Sequence, residues 1–171
     1  LSLSPSAMIA EPPIPELGRV AASAVTEVLA TQFKLSAIAL TSADKPVTGA
    51  TEEALVGSVT LTGGRVSGGV HLRLPEAFVA KLTALLLGQA ATNVTNESAP
   101  DMTGELCNML AGRVAASLAA AGYSSKLSTP TVVRGHQLEL EVSPGAKTCR
   151  SDWTCEGHLL TVALQFSFKS R

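Results

Sequence analysis

The feature that most constrains the fold of this chain is a block of six residues that occurs twice. Residues 18–23 and 112–117 both read Gly-Arg-Val-Ala-Ala-Ser. A second match follows each copy, because residues 34–36 and 126–128 both read Lys-Leu-Ser and lead into a segment with strand character. The order of helix, strand and hairpin is also shared. We infer an internal duplication of a unit that contains one helix and three strands.

The first unit is defined by its hydrophobic pattern. Apolar residues at helical spacing predict a helix over 16–32, and a short strand follows over 35–41. Alternating segments at 55–61 and 66–74, on either side of Gly63-Gly64, predict a β-hairpin. Pro75 is placed to begin a helix that ends near Gly88. This last helix connects the first unit to the second.

The second unit repeats this order. The longest helix is predicted over 101–121, and Gly122 ends it. The strand over 126–133 contains Pro130, which cannot donate a ladder hydrogen bond and therefore favours the edge of a sheet. Strands over 138–142 and 159–168 are predicted to flank a charged segment that contains Cys149 and Cys155.

Together these elements predict an α+β fold with two layers. The half-repeats 16–75 and 101–169, joined by a helix over 76–88, would pair into one mostly antiparallel sheet of six strands, with long helices on its apolar face. Residues 1–15 are rich in Ser and Pro and are predicted to be a flexible leader, so residues 16–171 form a single domain. Since residue 1 is Leu, we expect the natural chain to be longer.

Composition excludes several classes of function. Hydrophobic residues make up 46% of the chain and the net charge is −1, which predicts a packed core and no binding of nucleic acid. No apolar run approaches the roughly 20 residues of a membrane span. Three cysteines, an odd number, indicate a reducing compartment, so we predict a cytoplasmic protein, although Cys149 and Cys155 could pair within a hairpin. The three histidines are isolated, and we predict no metal site.

The helix predicted over 101–121 has one polar side. Its apolar residues fall on a broad arc of the helical wheel, and five residues lie opposite. We call these five the exposed strip: Asp101, Glu105, Asn108, Gly112 and Ala115. Glu105 and Asn108 are neighbours at positions i and i+3. Gly112 and Ala115, with Gly104 adjoining, are small where surface helices usually carry long polar side chains, so we predict a surface that a partner protein can approach closely.

Simpler interpretations of the same residues stay open. Glu105 and Asn108 could form part of an ordinary solvated face. Asp101 could be the N-cap of the helix, with Glu105 favoured by the helix dipole. The small residues would also suit packing against a neighbouring helix of the same chain.

The segment 104–112, Gly-Glu-Leu-Cys-Asn-Met-Leu-Ala-Gly, resembles the E-x-x-N helix motif of the CheC/CheX/FliY phosphatase family. As in that family, and especially in its CheX-like branch, a segment reading Ser-Thr-Pro-Thr-Val-Val-Arg-Gly follows at 128–135. The resemblance extends from about Leu17 to Phe168. One departure is Cys107, where the family usually has Gly. If that Gly allows the partner to come close, Cys107 could weaken docking, although a thiol is small enough for us to expect tolerance.

The resemblance implies an enzyme, a phosphatase that acts on the phospho-aspartate of a CheY-like response-regulator receiver. Asn108 would position the attacking water, and Glu105 would contact the receiver's lysine. Asp101, Gly104, Gly112 and Ala115 would form the docking surface. The protein would need no cofactor of its own, because the receiver supplies Mg²⁺. The resemblance also implies a homodimer and a role in chemotaxis or another two-component pathway.

The first half-repeat is predicted to lack a catalytic pair. Aligning the two six-residue blocks places Glu11 and Ile14 opposite Glu105 and Asn108, and Pro12-Pro13 oppose a helix there. A single site is typical of the CheX-like branch. The alternative function is a CheX-like module that binds a receiver without hydrolysis, or that serves only for dimerisation.

Overall fold

The computed structural model describes residues 14–41, 51–138 and 140–169, so residues 1–13 of the predicted leader lie outside it. The elements run in the order α1 (Ile14–Phe33), β1 (Ile38–Ala39), β2 (Ala54–Thr62), β3 (Val66–Pro75), α2 (Glu76–Leu87), a 3-10 helix (Ala91–Asn93), α3 (Ser98–Ala120), β4 (Lys126–Leu127), β5 (Thr131–Gly135), β6 (Lys147–Cys155) and β7 (His158–Phe168). Helix α1 includes Pro15. A proline is tolerated in the first turn because the N–H that it lacks would have no hydrogen-bond partner there.

The strands form one sheet in the order β1-β6-β7-β3-β2, and β4 and β5 share the outer edge of β2. Each pairing is antiparallel. The predicted α+β fold with a mostly antiparallel sheet is therefore confirmed. The structure has seven strands where we predicted six, because the predicted strand over 126–133 is divided into two. The break contains Pro130, which has no N–H to donate.

The predicted strand over 138–142 is wrong. Residues 138 and 140–142 are not in a strand, and β6 instead occupies the charged segment that we had placed between strands. Glu156 and Gly157 both have positive φ angles, 51° and 79°, which suits a two-residue hairpin turn. This turn pairs β6 with β7 from Cys155 opposite His158 to Lys147 opposite Phe166. All three cysteines are free.

The sheet shows the predicted duplication. Ile38 of β1 lies opposite Thr154 of β6, in the hairpin of the second unit. Lys126 of β4 lies opposite Thr62 of β2, in the hairpin of the first unit. Each unit therefore gives its first strand to the hairpin of the other unit, which relates the two halves by an approximate two-fold axis.

The identical six-residue blocks do not occupy equivalent positions in the two helices. Gly18 and Ala21 are buried, whereas Gly112 and Ala115 are only half-buried. A shift of 89 positions instead pairs buried residues with buried residues: Leu17 with Leu106, Gly18 with Cys107, Ala21 with Leu110, Val25 with Val114 and Leu29 with Leu118. In Ala-rich helices, sequence identity over six residues is weak evidence that two positions are equivalent. The pattern of buried residues on one face determines the register of the alignment much more strongly.

This register corrects the alignment of the first half-repeat. The residues opposite Glu105 and Asn108 are Glu16 and Arg19 of α1, and not Glu11 and Ile14. Glu16 and Arg19 both lie within α1. The predicted effect of Pro12-Pro13 on a helix falls on residues outside the described ranges.

Both helices approach the sheet closely where a glycine faces a cysteine. A Cβ atom built on Gly57 of β2 would lie 2.9 Å from Cβ of Cys107 in α3. A Cβ atom built on Gly18 of α1 would lie 2.6 Å from Sγ of Cys149 in β6. In one contact the glycine is on the sheet and the cysteine is on the helix, and in the other contact the two residue types are reversed. The two contacts therefore occupy equivalent positions in the two half-repeats.

Candidate functional site

The exposed strip lies on α3, on the side away from the sheet. Asp101 and Glu105 are exposed, and Asn108, Gly112 and Ala115 are half-buried. The opposite side of the helix is in the hydrophobic core, where Leu106, Leu110, Val114 and Leu118 are buried. The helical pattern therefore places the polar pair outside the core, as the sequence predicted.

Helix α3 begins earlier than predicted, and this excludes one of the simpler interpretations. The first helical residue is Ser98, with Glu97 at the N-cap position, so Asp101 is not the N-cap. Asp101 lies in the first turn, where a negative charge interacts favourably with the helix dipole.

Within residues 14–41, 51–138 and 140–169, the side chains of Glu105 and Asn108 make no hydrogen bond or ion pair. They are neighbours on one helical face, three positions apart. A carboxylate and an amide are therefore presented together, with no partner in the described part of the chain.

Gly104 is buried and faces its own chain rather than the exterior. A Cβ atom at this position would lie 3.4 Å from Cβ of Pro130 and 3.5 Å from Cγ2 of Val132. The small residue thus lets the edge segment around β5 lie against the flank of α3. The structure does not present Gly104 to a partner, which leaves Asp101, Gly112 and Ala115 as the predicted docking residues.

The position of Gly104 also bears on Asn108. Residues four apart lie near one another on a helix surface, so Asn108 is one turn beyond Gly104, next to the flank of α3 that Pro130 and Val132 contact. Asn108 is half-buried, whereas Glu105 is exposed.

Cys107 points away from the exposed strip. Its side chain is fully buried between α3 and the sheet, and its Sγ donates a hydrogen bond of 3.5 Å to the carbonyl oxygen of Val70. Burial raises the pKa of the Cys107 thiol to about 12. A weakening of docking by Cys107 is therefore not supported by its position, since a partner on the strip would not touch it.

The C-terminal part of the exposed strip has open space around it. A Cβ atom built on Gly112 would have no atom within 4 Å, apart from its helical neighbours. The adjacent Arg113 is directed to the other helix, where its two terminal nitrogens donate to the carboxylate of Glu27 at 3.0 and 3.1 Å. No long side chain of α3 therefore covers Gly112 from that side.

A separate group of polar residues lies on the opposite face of the sheet. His71 Nδ1 is 2.8 Å from Ser58 Oγ, and His71 Nε2 is 3.2 Å from Gln165 Nε2. Burial lowers the pKa of His71. Ser143 N donates to Gln165 Oε1 at 3.2 Å, and both His71 and Gln165 line a cavity of about 900 Å³. These residues are separated from the exposed strip by the sheet.

Two further properties concern metals and membranes. Within residues 14–41, 51–138 and 140–169, no three His, Cys, Asp or Glu side chains are grouped closely enough to hold a metal ion. Among the same residues, no helix combines the length and the apolar character needed to cross a membrane.

A family model for the chemotaxis phosphatase CheX matches residues 55–151. The chain belongs to the CheX family. The match covers more than half of the chain and includes the whole exposed strip, whereas α1 lies outside it. The resemblance to the CheC/CheX/FliY family, and to its CheX-like branch, is thereby confirmed. No curated protein matches the chain significantly.

Solved structures of this family have the same fold. The chain is 21% identical to the chemotaxis protein CheX of Vibrio vulnificus, with a TM-score of 0.75 over 89% of this chain and 99% of the other. It is 18% identical to a CheC-like protein from Shewanella sp. PV-4, with a TM-score of 0.72 over 89% and 97%. It is 14% identical to CheX in a CheX–CheY–BeF3–Mg²⁺ complex from Borrelia burgdorferi, with a TM-score of 0.61 over 88% and 97%.

Helices α1 and α3 share a short motif that was not predicted from the sequence. Residues 16–19 read Glu-Leu-Gly-Arg, and the structurally equivalent residues 105–108 read Glu-Leu-Cys-Asn. The glutamate and leucine are identical, and the last residue differs. The signal was present in the sequence, but the longer identical blocks indicated a different register.

Proposed function

We propose that this chain hydrolyses the aspartyl phosphate of a CheY-like receiver, and that Glu105 and Asn108 carry the activity. The supporting observation is that these two side chains lie side by side on the exposed strip, without partners among the described residues. The family is described as a chemotaxis phosphatase, and one similar structure holds CheX together with CheY, BeF3 and Mg²⁺. The substrate is therefore a protein, docked on α3.

Asn108 would orient the water that attacks phosphorus. Phosphoryl transfer depends mainly on in-line placement and charge neutralisation, so the protein need not supply a nucleophile. A side-chain amide can both accept a hydrogen bond from water and donate one, and it adds no negative charge beside the phosphoryl oxygens.

Glu105 would fix the orientation of the receiver. Its carboxylate is exposed and unpaired among the described residues, so it is free to accept a charge-assisted hydrogen bond from a lysine of the partner. Asp101, Gly112 and Ala115 would complete the docking surface, where small residues permit close approach.

Magnesium would come from the receiver and not from this chain. The exposed strip offers the carboxylates of Asp101 and Glu105 on successive turns, and Glu105 is assigned to the lysine. A hundredfold acceleration requires a barrier lower by only about 2.7 kcal/mol, which an ordered water and one charged contact can supply. We further propose that the protein is a cytoplasmic homodimer, which sedimentation and fractionation would test.

The test is the substitution Asn108→Ala, assayed by the decay of a phosphorylated receiver. We expect wild type to accelerate the decay and Asn108→Ala to return it to the spontaneous rate, with an unchanged melting temperature. Gln32→Ala is a matched control, because it removes an exposed amide from the end of the other long helix. Full activity in Asn108→Ala would exclude the assignment.

The same assay tests the alternative function, a module that binds a receiver without hydrolysis. Such a module would slow the decay or leave it unchanged. In the sequence, the departure from the family motif at Cys107 left this alternative open. Since the thiol is buried away from the strip, that departure gives the alternative no support.

A further inference from the structure

Helix α1 has an exposed strip of its own, formed by the residues equivalent to those on α3. We call it the α1 strip: Glu16, Arg19, Ser23 and Thr26, all of them exposed. Glu16 and Arg19 are three positions apart and therefore neighbours on the helix surface. Neither makes a hydrogen bond or an ion pair within the part of the chain that the structure describes.

Three observations relate the α1 strip to the exposed strip on α3. Glu16-Leu17 and Glu105-Leu106 are identical pairs, and each leucine is buried. The next residue, Gly18 or Cys107, packs closely against a cysteine or a glycine of the sheet in each unit. The first strands of the two units take equivalent places beside the two hairpins. Glu16 therefore corresponds to Glu105, and Arg19 to Asn108.

We infer that the α1 strip is a second binding position for the phosphorylation site of a receiver, and that it binds without hydrolysing because Arg19 replaces the amide. This inference rests on the proposed function of the α3 strip. It goes beyond that function, because it assigns two receivers to each chain and a non-catalytic role to one position.

The chemistry of Arg19 supports binding without catalysis. A guanidinium group has only hydrogen-bond donors, arranged in a fork that matches two phosphoryl oxygens. It therefore attracts the phosphoryl group strongly. It cannot accept a hydrogen bond from a water molecule, which the carbonyl oxygen of an amide can. Glu16 would meet the receiver's lysine, as proposed for Glu105.

The geometry allows both positions to be occupied together. The strands β1 and β4 run in opposite directions, and the equivalent helices that precede them are therefore antiparallel. Because Arg113 and Glu27 form an ion pair, these two residues lie at about the same height along the axes of α3 and α1. At 1.5 Å per residue from that level, Glu16 and Glu105 are roughly 28 Å apart along the helices, about the diameter of a small domain.

Binding stoichiometry tests the inference directly. The probe is each CheY-type receiver of the source organism, loaded with BeF3⁻ and Mg²⁺ as a non-hydrolysable mimic of the phosphorylated state, and titrated by calorimetry. We expect two receivers per chain for wild type and a halved stoichiometry for Glu16→Arg and for Glu105→Arg. Glu141→Arg, a charge reversal at an exposed position, should still bind two. One receiver per wild-type chain, or an unchanged value for Glu16→Arg, would overturn the inference.

A gain of activity tests the assignment of Arg19. In the Asn108→Ala background, Arg19→Asn should raise receiver dephosphorylation above the spontaneous rate. A double variant that binds two receivers and still does not accelerate the decay would overturn that assignment. The two hypotheses fail separately: absence of acceleration by wild type contradicts the proposed function, whereas the stoichiometry decides whether α1 binds.

Discussion

A Cβ atom on Gly57 would lie 2.9 Å from Cβ of Cys107, so β2 packs closely against α3 on the side of the helix opposite the Glu105–Asn108 pair. Cys107 lies between these two residues in the sequence and points in the opposite direction. Its contact with the sheet therefore determines the rotation of the helix about its axis. The direction in which the polar pair faces depends on this packing.

Gly57→Ala is expected to destabilise the protein. The new Cβ would meet Cβ of Cys107 at 2.9 Å and the carbonyl oxygen of Thr103 at 3.1 Å, and neither belongs to a flexible chain end. Overpacking of this kind costs about 1–3 kcal/mol. Chemical denaturation measures the loss. Gly64→Ala is the matched control, because a Cβ there has no atom within 4 Å. Equal stability of the two variants would contradict the described contact.

The loss caused by Gly57→Ala should depend on residue 107. Combining it with Cys107→Gly removes the Cβ atom that the new alanine would meet, so the double variant should lose less than the sum of the single losses. Cys107→Ala should give no such recovery, because it keeps the Cβ atom. Additive losses in both combinations would show that the two positions do not interact.

Stability is expected to fall at alkaline pH through Cys107. Burial raises the pKa of this thiol from 9.0 to about 12, so the folded protein holds the proton more tightly than the unfolded chain. Between these values the unfolded chain binds fewer protons. The free energy of unfolding should therefore decrease by about 1.4 kcal/mol per pH unit above pH 9, and not below it. Denaturation curves from pH 8 to pH 11 would measure this slope.

Cysteine variants identify the group responsible for the alkaline loss. Cys107→Ala should reduce the slope and leave the part due to Cys155, whose pKa burial also raises, whereas Cys149→Ala, at a half-buried position, should keep it. An unchanged slope in Cys107→Ala would assign the alkaline loss to other groups.

Substitutions of Gly112 distinguish an effect on the stability of the protein from an effect on receiver docking. Alanine at this position is expected to stabilise the protein by about 0.5–1 kcal/mol, because it favours the helix and meets no atom. A larger side chain, Gly112→Leu, should weaken receiver binding without lowering the melting temperature. Ala77→Leu, at an exposed position of α2, should leave binding unchanged. Normal affinity in Gly112→Leu would place the receiver elsewhere.

Glu105→Gln is expected to affect receiver binding more than the maximal rate. The substitution keeps the shape of the side chain and removes the charge that would meet the receiver's lysine. KM should rise, while kcat should fall less than in Asn108→Ala. Because exposed charges are screened by salt, the salt dependence of KM should weaken as well. Glu97→Gln, at the N-cap of α3, is the control. A loss of kcat alone would assign Glu105 a direct part in catalysis.

Local sequence patterns determined most of the architecture and the position of the polar pair. A helix of fixed periodicity with a buried arc must expose Glu105 and Asn108 together, whatever the rest of the fold. The hairpin at Gly63-Gly64 and the edge position of Pro130 follow from backbone chemistry alone. The duplication was also visible in the order of the elements.

Contacts between distant parts of the chain determine which small or polar residues face the exterior. They also determine which residues of the two half-repeats are equivalent. Gly104 and Gly112 look alike in the sequence, but Pro130 and Val132 contact the first, whereas no described residue outside the helix lies within 4 Å of a Cβ atom built on the second. Strand β6 was not predicted because charged side chains lie on its outward face. Its pairing with β7 also depends on a turn with positive φ angles. The equivalence of Glu16 with Glu105 emerged from burial and sheet contacts. These properties depend on neighbours distant in the chain, which local periodicity does not encode.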